Sequence, residues 1–327
     1  MTKKITVYNS QGQPQLLGKP IAAGGQGSVY NMEQYDNIAV KIYSAHSLGK
    51  YAAMYEEKLG AAIELGRLKK FQGVSWPALM VYNGKGSFIG YAMKKVEGVP
   101  VNRLAHAMTH KKYFKKMNRK DVASMLLKLA VNLKSLHENG VIVGDLNLNN
   151  ILVNPADYTP VMIDCDSYQI DYQGKTWHCP VARPELTAPE LHGKDFSRVK
   201  RSLESEYFSF AILVFQCLML GRYPYDWIGG ENPVENLLQG SFPYGSDSHI
   251  QGTVPTGPWY KIWSHMSYKL KSTLIQTLRE GAADPGKRAD LDEWITILKH
   301  YIFMLEEGHA DSAMIPAIKK SNEWVQK

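Results

Sequence analysis

The stretch Val141-Ile-Val-Gly-Asp-Leu-Asn-Leu-Asn-Asn-Ile-Leu-Val153, followed by Val161-Met-Ile-Asp-Cys-Asp166, decides how this chain is read. Asp145 stands five residues before Asn150, apolar strand residues follow, and Asp164 ends the next apolar run. A carboxylate such as Asp145 orients and deprotonates an attacking hydroxyl, while the Asn150 oxygen coordinates magnesium without adding charge. Asp164 is placed to bridge that metal to nucleotide phosphates. Turns rich in Asp and Asn are common in their own right. That plain reading leaves unexplained why three such groups flank two apolar runs behind a lysine and a glycine loop.

The lysine and the loop lie upstream. Ile21-Ala-Ala-Gly-Gly-Gln-Gly-Ser-Val-Tyr30 reads as strand, turn and strand, with Gly24, Gly25 and Gly27 letting backbone N–H groups approach phosphate oxygens. Alone, a glycine hairpin is structural more often than not. Ala39-Val-Lys-Ile42 then sets Lys41 inside an apolar strand, where an ammonium is costly unless it snorkels outward or meets anions. With the loop before it, phosphate contact is the favoured reading. Such a lysine needs a carboxylate. Tyr51, Tyr55, Leu59, Ala62 and Ile63 recur at helical spacing, with Glu56 on the flank of that stripe. Glu57 projects roughly 100° further away. Helical geometry therefore favours Glu56 with Glu57 as runner-up, against the bland alternative of two surface glutamates.

Composition bounds the class. At 327 residues, 44% hydrophobic and 21% charged, the chain is an ordinary globular protein with one large domain or two lobes sharing a cleft. Met1-Thr-Lys-Lys-Ile5 lacks the apolar core of a signal peptide. The greasiest run, from Tyr207 to Leu220, carries Ser209 and Gln216 and is too short to span a bilayer, so a buried helix is expected and no membrane. Cys165, Cys179 and Cys217 are isolated, odd in number and without metal-ligand spacing, which points to a reducing, cytoplasmic setting. The net charge of +7 is densest in His110-Lys-Lys-Tyr-Phe-Lys-Lys-Met-Asn-Arg-Lys120. A solvated linker is the favoured reading there, with nucleic acid the lesser one.

Strands are expected over 16–23, 28–33 and 38–43, then a helix, then strands 77–82 and 88–96 around Asn83-Gly-Lys-Gly86. Glu97-Gly-Val-Pro100 is the natural boundary. Beyond it the pattern turns helical: Asn118 or Asp121 caps a long helix to His137, with Gly140 as its stop. A hairpin tip at Tyr172-Gln-Gly-Lys175, a buried helix over 206–220, a Gly/Pro-rich connection over 229–258 and two terminal helices follow. The class is α+β, a single domain over 1–327 with a small β-rich N-lobe (about 1–97) and a larger, mostly helical C-lobe (about 98–327).

Over nearly its whole length the chain resembles the eukaryotic-like protein kinase superfamily. Ala22-Ala-Gly-Gly-Gln-Gly-Ser-Val29 looks like the nucleotide loop and Ala39-Val-Lys41 like the third-strand lysine motif. Val143-Gly-Asp-Leu-Asn-Leu-Asn-Asn150 looks like the catalytic loop, and Asp164-Cys-Asp166 like the metal-binding triplet. The resemblance implies a bilobal fold using ATP and Mg2+. It makes Asp145 the base, Asn150 and Asp164 the magnesium ligands, and Lys41 with Glu56 the phosphate-holding pair. It sets Gly24, Gly25, Gly27 and Val29 around the nucleotide, with adenine near Met93 to Val96. Thr187-Ala-Pro-Glu190 and Asp284-Pro-Gly-Lys-Arg288 resemble the end of the activation segment and its arginine partner, which implies a buried Glu190–Arg288 pair and a protein substrate. The motifs look closest to a bacterial Ser/Thr kinase-like branch whose members are often associated with phosphatase and von Willebrand-type partners.

Several positions depart from the pattern. Ala22 replaces the first loop glycine, and Val143-Gly144 replaces His-Arg, removing the usual receiver for activation-segment phosphate. Asn147 stands where a lysine usually neutralises the transferring phosphoryl group. Asp166 replaces the glycine of the metal triplet and is expected to bring a third acid near magnesium. Glu206 replaces the aspartate that anchors the catalytic loop. Lys41, Asp145, Asn150 and Asp164 all remain, so an active protein kinase acting on Ser or Thr, its own residues included, is the leading expectation. Thr176 and Thr187 offer hydroxyls on the activation segment. An ATP-binding pseudokinase scaffold is the alternative, and a small-molecule phosphotransferase the third.

Overall fold

Alternating β-branched and aromatic residues make the N-terminal part a set of antiparallel strands. The computed structural model describes residues 5–104, 106–245, 254 and 257–317. Strands β1 (Ile5–Tyr8), β2 (Pro14–Gly24), β3 (Gly27–Met32) and β4 (Tyr35–Tyr43) run on to helix α1 (Ala45–Lys69), then to β5 (Pro77–Tyr82) and β6 (Phe88–Lys94). The six strands close into a barrel in the order β1-β2-β3-β4-β6-β5, completed by one pairing of Tyr8 with Tyr82. Its interior is filled by Val7, Leu17, Met32, Val40, Val81 and Ala92. Because side chains alternate along a strand, burying Val40 inside the barrel turns Ala39, Lys41 and Tyr43 to the opposite face.

Helices dominate beyond β7 (Val99–Pro100). After the short α2 (Ala107–Tyr113), α3 runs over Arg119–His137. Asn118 accepts from the Asp121 N–H while Asp121 reaches back to the Asn118 N–H, so both expected caps act in one capping box. Gly140 follows with a φ of 74°, a left-handed position that favours glycine. Short strands β8 (Val141–Ile142), β9 (Ile151–Val153), β10 (Pro160–Met162), β11 (Gln169–Tyr172) and β12 (Lys175–Trp177) carry the polar loops. The hairpin tip lies between β11 and β12, as its turn residues imply.

The apolar helix α4 (Leu203–Leu218) is buried on nearly all sides. It is followed by α5 (Pro233–Leu238), α6 (Trp259–Ser264), α7 (Tyr268–Ile275), α8 (Gly281–Ala283) and α9 (Leu291–Glu306). Helix α3 packs against α9 and α4, and Trp294 of α9 meets Phe210 of α4 edge-on with ring centroids 5.9 Å apart. Part of the 229–258 connection, residues 246–253 and 255–256, lies outside the described residues. Among the described residues no helix is long and apolar enough to cross a membrane.

The basic stretch at 110–120 is less solvated than its composition implies. Lys111, Lys112, Lys115 and Lys116 are exposed, but Phe114 and Met117 enter the core and Arg119 is 1% exposed. Burial lowers the Arg119 guanidinium against the opposing pull of Tyr301.

Candidate active site

Period-two alternation on β4 sets the first group. Lys41 lies opposite Tyr91 and Ala39 opposite Met93 in the β4–β6 pairing, so the four share one outer face of the barrel. That face forms one wall of a cavity of about 880 Å³. Gly24, Gly25, Gly27, Val29, Lys41, Met93 and Val96 line it from the barrel and the connection after β6, and Asp145, Asn150 and Asp164 from the helical part. Of the site residues expected from sequence, Glu56 does not reach this wall.

The glycines divide into two kinds. A Cβ on Gly27 would sit 2.1 Å from the Ile42 carbonyl oxygen, so this glycine lets β3 lie close to β4. Gly24 and Gly25 are different. Neither has a positive φ, and a Cβ on either would meet nothing within 4 Å. With no side chain there, the glycine backbone at the cavity edge stays approachable, which fits a bulky anionic ligand such as ATP.

Lys41 is 5% exposed and makes a different pairing from the one expected. Its Nζ donates to Asp164 Oδ1 at 2.6 Å, and to Asp166 Oδ1 and Oδ2 at 2.8 and 2.9 Å. Burial lowers an ammonium, but the two carboxylates outweigh it and hold the Lys41 pKa above its ordinary value. Glu56 is half-exposed and lies near enough to Tyr82 to help burial raise that phenol, while Glu57 pairs with Lys175 on the surface. The physical reason is the helix face. Tyr55, Lys58, Leu59 and Ala62 form the inward stripe of α1, and the Tyr55 ring stacks on Tyr43 with centroids 4.5 Å apart. Glu56, one residue on, is turned roughly 100° from Tyr55.

The two aspartates of 164–166 have separate environments. The Asp164 side chain is 38% exposed and faces the cavity, whereas that of Asp166 is 1% exposed. Asp164 holds a left-handed backbone (φ 65°), its carbonyl accepting from the Ser167 hydroxyl at 2.9 Å. Burial and the neighbouring Asp166 charge raise the Asp164 pKa. Burial also acts to raise Asp166, but Lys41 and hydrogen bonds from the Tyr43 and Tyr91 hydroxyls bring it below the usual carboxylate value. With both oxygens taken by donors, Asp166 is no magnesium ligand, which corrects the expectation of a third acid at the metal.

Asp145 is held by its own loop. Gly144 has a φ of 73°, and a Cβ there would lie 2.7 Å from Cys179 Sγ, so the arginine expected at this position has no room. The Gly144 N–H donates to Glu206 Oε1 at 2.6 Å, and Glu206 Oε2 meets His137 Nε2 at 2.5 Å. The longer side chain thus does the anchoring expected of an aspartate. Asn147 is 2% exposed, with its amide donating to the Asp145 carbonyl and accepting from the Asn149 N–H. Asn150 donates weakly to Asp145, at 3.3 Å to Oδ2, leaving its amide oxygen as the ligand end.

Among the described residues no three His, Cys, Asp or Glu side chains form a metal cage. Asp164 with the Asn150 oxygen fits magnesium all the same, because that ion keeps its waters and takes few protein ligands beside phosphates.

The fold brings further groups to the site that the motifs do not announce. Arg183 Nε stands 3.4 Å from Asp145 Oδ1. Arg201 donates to the carbonyls of Gly144 and Val181, and Lys58 to that of His178. These buried cations tie down the segment before Thr187 through its backbone. Tyr43 was legible as Lys41's neighbour at period two; Arg201 had no local signal. Thr187 is 5% exposed and donates to the Arg183 carbonyl, so its hydroxyl is not free to accept phosphate. Glu190 and Arg288 form the expected pair with two 2.7 Å bonds, the Arg288 side chain fully buried and that of Glu190 36% exposed.

The family described as protein tyrosine and serine/threonine kinase matches this chain over residues 17–246. Two curated relatives, both named protein kinase YegI, come from Escherichia coli strain K12 and Escherichia coli O157:H7. They are 30% identical over 266 residues and 29% identical over 263, covering 78% and 77% of this chain. The chain spans 40% of the length of each. Matched family, relatives and site geometry agree: this chain belongs to the protein tyrosine and serine/threonine kinase family.

Proposed function

We propose that this chain is an ATP- and magnesium-dependent protein kinase. It transfers the γ-phosphate to a serine or threonine of a protein, which can be the chain itself, in a cytoplasmic setting. One observation carries the reading: Lys41, Asp145, Asn150 and Asp164, far apart in sequence, converge on one cavity edged by bare glycine backbone. The working unit is bilobal, the barrel with α1 forming an N-lobe to about residue 97 and the rest a C-lobe.

In this proposal adenine packs near Met93 to Val96, between Val29 and Ala39 on one side and Leu152 and Ile163 on the other, all on the cavity wall. Gly24 and Gly25 present N–H groups to the phosphates, and Lys41 contacts them with its ammonium. Asp164 and Asn150 would hold magnesium, which would neutralise charge on the phosphoryl oxygens. Asp145 orients the acceptor hydroxyl and takes its proton as oxygen bonds to the γ-phosphorus and the bond to the β-phosphate oxygen breaks, releasing ADP. Because Asn147 is folded into its loop, Arg183 is the cation nearest Asp145 that can face the transferring group from the acceptor side.

The Asp164→Ala variant tests the assignment. It should lose magnesium-dependent transfer, and full activity would sink the mechanism. An ATP-binding scaffold is favoured by two contacts, the ion pairs of Asp145 with Arg183 and of Asp164 with Lys41. Its signature is ATP-dependent stabilisation without turnover. Neither the matched family nor the relatives' names point to a phosphatase or von Willebrand-type partner.

A further inference from the structure

We infer that Asp166 is the positioning residue for Lys41, taking the duty that a carboxylate on α1 was expected to perform. The inference deepens the proposed kinase function and rests on it for its catalytic consequence. The structural part stands on hydrogen bonds alone. Asp166 accepts from Lys41 Nζ with both oxygens, from the Tyr43 hydroxyl at 2.8 Å and from the Tyr91 hydroxyl at 2.8 Å. Those donors come from β4 and β6, where Tyr91 lies directly opposite Lys41. The anchor therefore ties the barrel sheet to the loop after β10 and bypasses α1.

What α1 offers Lys41 is not a carboxylate. Its inward face carries Tyr55, stacked on Tyr43 at an interplanar angle of 12°, and Lys58, 3% exposed, whose Nζ donates to the His178 carbonyl at 3.2 Å. The helix thus steadies the Tyr43 ring and ties down the segment before Thr187, while the lysine's charge is met elsewhere. A displacement of α1 would leave Lys41 with its counter-ion. The arrangement also separates two roles that one aspartate cannot fill alone. Asp166 is sealed and saturated, so it carries the lysine's charge, and the cavity-facing Asp164 stays available to a metal. Without Asp166, Lys41 would rest on Asp164 alone and compete with magnesium for it.

The test compares Asp166→Asn, which keeps the shape, with Glu56→Gln, a change at a half-exposed position. The first readout needs no catalysis: acetylation of Lys41 by an N-hydroxysuccinimide ester at pH 9, followed by peptide mass spectrometry on the ligand-free protein. Lys41 should be protected in the parent and in Glu56→Gln, and labelled at least fivefold faster in Asp166→Asn. The second readout is transfer kinetics against magnesium. Asp166→Asn should raise the half-saturating magnesium and the KM for ATP about tenfold, more than it lowers kcat, with Glu56→Gln within twofold of the parent. Faster labelling of Lys41 in Glu56→Gln, or unchanged labelling in a folded Asp166→Asn, overturns the inference. If Asp166→Asn does not fold, Glu56→Gln decides alone. A parent that transfers no phosphate removes the kinase reading, while the labelling still decides the anchor.

Discussion

Glu206 joins the buried helix α4 to the loop that carries Asp145, and its removal has a magnitude that follows from its contacts. The residue is 3% exposed, and its two oxygens take the Gly144 N–H at 2.6 Å and His137 Nε2 at 2.5 Å. Each hydrogen bond to a charged group contributes about 1.5–3 kcal/mol. Against that sum stands the desolvation of the carboxylate, which costs several kcal/mol in a buried site and is relieved when the group is removed. In Glu206→Ala the part-buried Gly144 N–H loses its acceptor, at about 1–3 kcal/mol. The net expectation is a loss of about 3 kcal/mol for Glu206→Ala and about 1 kcal/mol for Glu206→Gln, which keeps an acceptor for Gly144. Urea unfolding followed by tryptophan fluorescence measures both. Because the loop that aims Asp145 loses its tether, the transfer rate of the alanine variant should fall about 100-fold, the cost of displacing a reacting group by an ångström. An alanine variant within about 0.5 kcal/mol of the parent, the scatter of a surface change, would refute this account of the loop.

Three further outcomes follow from the same geometry. Glu190→Gln should cost about 2 kcal/mol, since the buried Arg288 loses its charged partner but keeps the Gly281 and Glu204 carbonyls; a loss below about 0.5 kcal/mol in urea unfolding would contradict it. Lys58 is lowered by burial from 10.5 to about 8, so between those values the unfolded chain holds a proton that the folded protein has released. The parent should therefore gain stability relative to Lys58→Met as pH rises through 8 toward 10, by roughly 2 kcal/mol at about 1.4 kcal/mol per pH step; a flat difference would show that Lys58 is not desolvated. Arg183→Ala should lower kcat about tenfold or more while ATP affinity holds, with Arg183→Lys recovering part of the rate; an unchanged kcat would remove Arg183 from the reaction.

Local chemistry made much of this structure legible from sequence. The Asn118 and Asp121 capping pair, the β5–β6 hairpin and the left-handed Gly140 all act over a few residues, and each is where its pattern put it. The cavity residues were legible because chemistry needing a lysine, an amide and two carboxylates leaves few other readings. The failures have a common cause. The angle on an isolated helix favours Glu56, but the face that α1 turns inward carries Tyr55 stacked on Tyr43, a contact made across the fold. Proximity in sequence groups Asp166 with Asp164, only Cys165 standing between them. The left-handed turn at Asp164 instead leaves one carboxylate at the cavity and the other beneath Tyr43 and Tyr91. Arg201 reaches the catalytic loop from 57 residues away, and nothing local announces it.

The most direct test of the proposed function is transfer from ATP labelled in its γ-phosphate. The parent and Asp164→Ala are incubated with magnesium and an array of Ser-, Thr- and Tyr-containing peptides, and label is counted on the peptides and on the chain itself. The account predicts magnesium-dependent label on serine or threonine hydroxyls with the parent and none with the variant. Label that is equal in the two proteins, or absent from every acceptor with a folded, ATP-binding parent, would contradict it.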